Sequence, residues 1–238
     1  MELSIVLPTY KEKDNLSVLI PQIELVFKDY FFEIIVVDDN SSDGTETLIR
    51  ELQNKFQNIR LLNRPRPAGI GSALRDGYNL AQGKFIISSD ADLSFETEDM
   101  LRLYRKINEG YDLVIGSRHG SGGIYECKSF ITKAKYYCSK LGNIFVKRIS
   151  GLPLNDVSAN FRAIKQIVWR NLKTKEKTNF FLFEMIAIAV KKKFVVTDLP
   201  VAFHERKFGQ SKLAIGREIP KFLIKFILYS IRQIFDFL

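Results

Sequence analysis

The sequence predicts an α/β protein built on a mostly parallel sheet, and three observations predict it. Short apolar runs rich in β-branched residues recur through the first 120 residues, near-continuous as in strands covered on both faces. Helical apolar stripes lie between them. Acidic segments follow two of the runs, at the carboxyl ends where such sheets bind ligands.

In chain order the strands are "LSIVLP" (3–8), "EIIVVDD" (33–39), "IRLLN" (59–63), "KFIISSD" (84–90) and "DLVIGS" (112–117). Leu16, Leu19, Ile20, Ile23 and Phe27 form one helical stripe; Leu48, Leu52 and Phe56 form another, capped by Asp43 or Ser42. "AGIGSAL" (68–74) reads as a tight turn into a helix. After residue 120 the texture changes. "HGSGG" (119–123) is a Gly-rich loop, and residues 126–149 form a basic amphipathic stretch. Phe130, Ile131, Ala134, Tyr137, Cys138, Leu141 and Phe145 line one face of it, with Lys128, Lys133, Lys135, Lys140, Lys147 and Arg148 elsewhere. A strand at "FVVTDLPVAF" (194–203) leads into the loop "HERKFGQSKLA". The chain is expected to divide into one main domain over 1–216 and an amphipathic helix over 217–238.

Composition narrows the function. The 238 residues are 46% hydrophobic, enough to bury a full core. Lys and Arg number 36 against 27 Asp and Glu, a net charge of +9 that favours an anionic partner. Nucleic acid is not the expected one, because no helix-turn-helix, zinc-finger or RNP pattern occurs. Cys127 and Cys138 form no C-x-x-C pair, which argues against a disulfide framework or structural zinc and for a reducing, cytosolic setting. The N-terminus runs straight into a strand with no visible signal peptide. G-x-G-x-x-G, G-x-x-x-x-G-K-[ST] and G-x-S-x-G are all missing, which disfavours dinucleotide enzymes, P-loop proteins and hydrolytic triads.

The segment "IISSDADLS" (86–94) sets Asp90 and Asp92 one residue apart. Unpaired at about 4 Å, two such charges repel by about 4 kcal/mol at an effective dielectric near 20. A lone D-x-D is as often a cap or an Asx turn. A second acidic pair, Asp38 and Asp39, closes another strand, and four carboxylates converging on one rim would favour Mg²⁺ or Mn²⁺.

"SIVLPTYKEKDNL", "VVDDNSSDGT" and "SDADLS" resemble the motifs of family 2 inverting glycosyltransferases. "NRPRPAGIGSALRDGYNLAQGKFIISSDADLS", "GSRHGSGG", "DVSANFRA" and "FGQSKL" look like the dolichyl-phosphate mannosyltransferases within it, over residues 3 to 223. The resemblance implies a GT-A fold (Rossmann-like, nucleotide-sugar-binding), a divalent metal, GDP-mannose as donor and dolichyl or polyprenyl phosphate as acceptor. It places Pro8, Tyr10 and Glu12 around the nucleotide, and Val37 and Asp39 at base and ribose. Asp90, Ala91 and Asp92 match the diphosphate and metal segment, with Asp92 and Ser94 nearest the metal. Arg206 and Lys212 match a pair on the donor phosphates; Arg118 and Lys133 match acceptor-phosphate contacts. Asp90, Asp92, Arg118 and Arg206 are the catalytic candidates.

Residues 219–238 are interrupted by Lys221, Lys225, Arg232 and Asp236, too charged to span a bilayer. The expectation is an interfacial helix, with Phe222, Phe226, Ile227, Ile234 and Phe235 inserted and the 126–149 helix beside it. The bland alternative is a helix packed on its own domain or in a dimer. The implied location is the cytoplasmic face of a membrane, held peripherally or by small membrane-anchored subunits. Two other functions stay open: a polyprenyl-phosphate glucosyl- or N-acetylglucosaminyltransferase using a UDP-sugar, and a non-catalytic sugar-nucleotide-binding scaffold.

Overall fold

A computed structural model describes residues 1–120, 122–127, 130–209 and 215–235, with the backbone alone for 131, 215–218 and 232–235. Lys212 and Ser121 lie outside the described residues, as do the side chains of Arg232, Ile234 and Phe235.

The strands are β1 (Leu3–Thr9), β2 (Phe32–Asp38), β3 (Ile59–Asn63), β4 (Phe85–Ser88), β5 (Leu113–Ser117), β6 (Ile124–Tyr125), β7 (Arg162–Lys165), β8 (Val196–Pro200) and β9 (Ala202–Phe203). The helices are α1 (Lys13–Val26), α2 (Thr45–Lys55), α3 (Ile70–Leu80), α4 (Thr97–Asn108), α5 (Phe130–Ser150), α6 (Gln166–Asn171), α7 (Phe180–Lys191) and α8 (Ile215–Phe235). Seven strands form one sheet in the order β3-β2-β1-β4-β7-β5-β8, parallel except for β7. The sequence did not mark β7, whose four residues are too few to show a period.

Both faces of the sheet are covered, which is why its strands read as unbroken apolar runs. Ile5, Leu7, Ile34 and Val36 point into one core with Leu16, Leu19, Ile20, Ile23 and Phe27 of the α1 stripe. Val6, Ile35 and Val37 point into the other, under α3 and α7. Leu48, Leu52 and Phe56 pack against the first core only in part, and the apolar side chain wholly inside from α2 is Ile49. The N-cap residue of that helix is Gly44 and not Asp43 or Ser42, but Asp43 just before it holds the first turn: Thr45 donates N–H and Oγ–H to Asp43 Oδ1 at 3.1 and 2.6 Å. Its other oxygen accepts the Lys13 N–H at 3.2 Å, tying together the starts of two helices.

The strand expected over 194–203 breaks at Val201. Its first half joins β5; its second pairs with β6 in a small separate sheet. Helix α7 carries no stripe because it is apolar on nearly every side, with Phe181, Phe183, Met185, Ile186 and Ala189 all buried.

Candidate active site

The parallel strands end at one rim, and β7 starts there: Ser88 at the end of β4 pairs with Arg162 at the head of β7. An antiparallel strand therefore delivers its approach segment, residues 156–160, to the rim where the others deliver their exits.

The loop after β4 holds the acidic pair. Asp92 is 9% exposed and uses both oxygens. Its Oδ1 accepts the Ser94 N–H at 3.1 Å across Leu93, whose φ is 61°, an Asx turn. Its Oδ2 accepts Arg206 Nη2 at 2.8 Å. The turn and the charge pairing are thus both present, one on each oxygen. Asp90 accepts Asn160 Nδ2 at 3.0 Å. Burial and the Asp92 charge push its carboxyl up to about 6, against the pull of Asn160, Arg118 and Arg206.

Arg206 lies on the loop after β9, which is docked at several points. Its Nη1 is 3.6 Å from Glu12, and Asn15 donates to Glu12 at 2.6 Å and to the Phe208 carbonyl at 3.3 Å. His204 contacts Glu96 and Glu126 at 3.1 and 3.4 Å.

The expected convergence of four carboxylates is not what the structure has. Asp38 turns into its own loop, accepting the Ser41 N–H at 2.8 Å and its hydroxyl at 2.5 Å. Asp39 is buried against Arg64 at 2.5 Å; burial raises its pKa and Arg64 opposes this. Arg64 also reaches Asp76 at 3.2 Å and Ser72 at 2.6 Å. Among the described residues, no group of three or more His, Cys, Asp or Glu could hold a metal alone. Asp90 and Asp92 still fit a hard cation that completes its shell with substrate phosphate oxygens, since two adjacent carboxylates leave uncompensated charge at Asp90.

Val37 is wholly buried and Ala91 3% exposed, their side chains packed in the two cores. Ser94 is 2% exposed and serves Asp92 through its backbone N–H, while its carbonyl accepts the His204 N–H at 2.8 Å. Pro8 is half-buried at the end of β1, Tyr10 is exposed just beyond it, and Lys133 is exposed on α5.

Arg118 follows β5 and is locked to Asp156, with Nε at 2.7 Å and Nη2 at 3.1 Å, and to Ser158 at 2.8 Å. Burial alone would raise the Asp156 carboxyl, but Arg118 holds it far below the ordinary range. Asn143 of α5 donates to the same carboxylate at 3.4 Å and accepts the Val157 N–H at 2.8 Å. Beside Arg118 lies a cavity of about 270 Å³, lined also by His119, Tyr136, Lys140 and Lys147. Burial drops His119 to about 4, so its imidazole is neutral at pH 7.

Arg64, Asn143, Asp156, Asn160 and Arg162 went unassigned in the sequence. The segment "DVSANFRA" marked a resemblance, but with β7 unrecognised nothing tied its residues to the rim.

The profile of Glycosyl transferase family 2 matches residues 4–172. The chain belongs to glycosyl transferase family 2. A dolichol-phosphate mannosyltransferase of Pyrococcus furiosus is 32% identical over 227 residues, 94% of this chain and 62% of that protein. The chain thus spans less than two thirds of that relative's length. A polyprenol monophosphomannose synthase of Mycolicibacterium smegmatis is 29% identical over 239 residues, covering 98% and 88%. Among solved structures, glucosyl-3-phosphoglycerate synthase of Mycobacterium tuberculosis, in complex with Mn²⁺, UDP and phosphoglyceric acid, superposes with a TM-score of 0.72 at 14% identity. The match covers 96% of this chain and 78% of that one, and it shows the GT-A fold. In this glycosyltransferase the family match takes in both acidic loops, Arg118 and the 156–162 segment.

Proposed function

We propose that this glycosyltransferase moves mannose from GDP-mannose to dolichyl or another polyprenyl phosphate, with inversion, giving a β-mannosyl phosphate lipid. The observation that carries the reading is Arg206 paired with Asp92 at the rim, beside Asp90 and Glu12. The names of the two curated relatives supply the sugar and the acceptor class.

In the reaction the bond from the anomeric carbon to the β-phosphate oxygen breaks, and GDP keeps the electron pair. One acceptor phosphate oxygen forms the new bond to the opposite face of that carbon. A phosphate monoester is mostly dianionic at neutral pH, with a second pKa of about 6, so no strong general base is needed. His119, neutral and buried, is not required as one. Arg206, joined by Lys212, stabilises charge building on the leaving diphosphate. Mg²⁺ or Mn²⁺ held by Asp92 and Asp90 supplies charge neutralisation there when bound. Asp39, Tyr10, Pro8 and Glu12 border the nucleotide. Arg118, whose Nη1 donates no hydrogen bond among the described residues, faces the acceptor phosphate with Lys133.

The lipid acceptor calls for a membrane surface. No described helix is long and apolar enough to cross a bilayer. Helix α5 exposes Phe130, Tyr137, Leu141, Ile144 and Ile149 and carries five cations and no acid. Helix α8 exposes Ile224, Ile227, Leu228 and Ile231 along one stripe. Phe145 and Phe226 lie 6.0 Å apart, so the two helices meet. We assign this surface to the headgroup layer.

Incubation with radiolabelled GDP-mannose, dolichyl phosphate and Mn²⁺, followed by lipid extraction, tests the reading. Label is expected in the organic phase. Transfer from UDP-glucose alone, or from neither donor, would overturn it.

A further inference from the structure

Asp90 is reached by a buried chain of polar groups that the reaction outlined above does not use. Tyr78 comes from α3, Ser88 ends β4 and Asn160 precedes β7; they are 1%, 0% and 3% exposed. Tyr78 Oη lies 2.7 Å from Ser88 Oγ, Ser88 Oγ lies 3.1 Å from Asn160 Oδ1, and Asn160 Nδ2 lies 3.0 Å from Asp90 Oδ1.

Chemistry sets the direction of every proton in this chain. A carboxylate only accepts, so the amide must turn its NH₂ to Asp90 and its oxygen to Ser88. Ser88 has one hydroxyl hydrogen, and both its acceptors belong to Asn160: Oδ1, and the backbone carbonyl at 3.1 Å. Tyr78 must then donate to Ser88. Flipping the Asn160 amide would set oxygen against carboxylate and leave the backbone carbonyl of Asn160 as the one acceptor for the Ser88 hydroxyl. The turn carrying Asn160 is clamped in addition by Arg162, which is fully buried and donates to the carbonyls of Ala159 and Leu182.

We propose that Tyr78, Ser88 and Asn160 are a positioning relay that holds the Asp90 carboxylate in one orientation for the divalent cation that would neutralise the donor diphosphate. An amide is a neutral partner. It fixes Oδ1 without discharging the carboxylate, as an arginine or lysine would, and leaves Oδ2 with no hydrogen bond among the described residues. The relay rests on Asp90 serving the donor, as proposed above.

A double-mutant cycle tests it, using whichever nucleotide sugar the wild type turns over; wild-type turnover of GDP-mannose tests the functional reading separately. Asn160→Ala should lower kcat/KM about tenfold and Tyr78→Phe about threefold, the scale of one buried hydrogen bond each. In the Asn160→Ala background, Tyr78→Phe should cost less than a further factor of about 1.5. Urea midpoints measured alongside separate folding from positioning. Should Asn160→Ala fail to fold, Ser88→Ala cuts the same chain and the same non-additivity is expected. Losses that multiply in the double variant, or unchanged kcat/KM with lowered urea midpoints, would overturn the relay.

Discussion

At Asp92 one side chain satisfies two descriptions, a turn on Oδ1 and a charge pairing on Oδ2. Removing either partner of that pairing tests its role. Arg206→Ala should cut transfer about 100- to 1000-fold, the loss typical of one preorganised electrostatic group, with little change in melting temperature. Asp92→Ala should remove nearly all transfer. Initial rates with and without EDTA check both; full activity of Asp92→Ala would remove the carboxylate from the site. His119 supplies a pH test at the same scale. Its folded pKa of about 4 lies below its ordinary 6.5, so the unfolded chain takes up the proton first. The stability it contributes is complete above pH 6.5 and is lost as pH falls towards 4. The urea midpoint should drop across that window, and His119→Gln should flatten the drop. An unchanged slope in the variant would mean the histidine titrates normally.

The elements are set by close approach as much as by periodicity. A Cβ at Gly77 of α3 would lie 2.4 Å from Val6 and 3.0 Å from Val37, so the helix rests directly on β1 and β2. Gly77→Ala should therefore destabilise by about 1–3 kcal/mol despite the better helix propensity, read as a lowered melting temperature. Helix α8 departs most from expectation. Phe222 and Phe226 do not point outward: Phe226 is 1% exposed and packs on Phe183 of α7, and Phe222 packs on Phe180 and Phe183. Lys225 pairs with Glu176 instead of facing outward. Phe226→Ala should cost about 3–5 kcal/mol, as deletion of a buried ring does, measured by urea unfolding.

For the whole molecule, the exposed apolar stripes of α5 and α8 lie on helices that meet at Phe145 and Phe226. Cutting off residues 217–238 would uncover Phe180 and Phe183 as well, so charge substitution on the outer stripe is the cleaner test. The triple variant Ile224→Glu, Ile227→Glu, Ile231→Glu should keep its melting temperature yet lose co-sedimentation with anionic vesicles. Transfer to long-chain dolichyl phosphate should slow far more than transfer to a short, soluble polyprenyl phosphate. Vesicle binding that survives the three glutamates would move the membrane contact elsewhere.

What the sequence by itself determined is everything carried by local pattern. The five parallel strands up to residue 117, the stripe of α1, the start of α2 beside Asp43 and the D-x-D at the end of β4 follow from periodicity and from short-range hydrogen bonding. Tertiary structure alone decided which charges meet. Asp39 is 25 residues from Arg64, Asp90 is 70 from Asn160, and Asp92 is 114 from Arg206. Such pairs depend on strand order, and above all on the reversed β7, which places residues 156–160 at the rim. The same holds for Val37 and for α8. An apolar residue shows that it will be covered, but whether the cover is substrate, lipid or another helix is set by the neighbours that the folded chain provides.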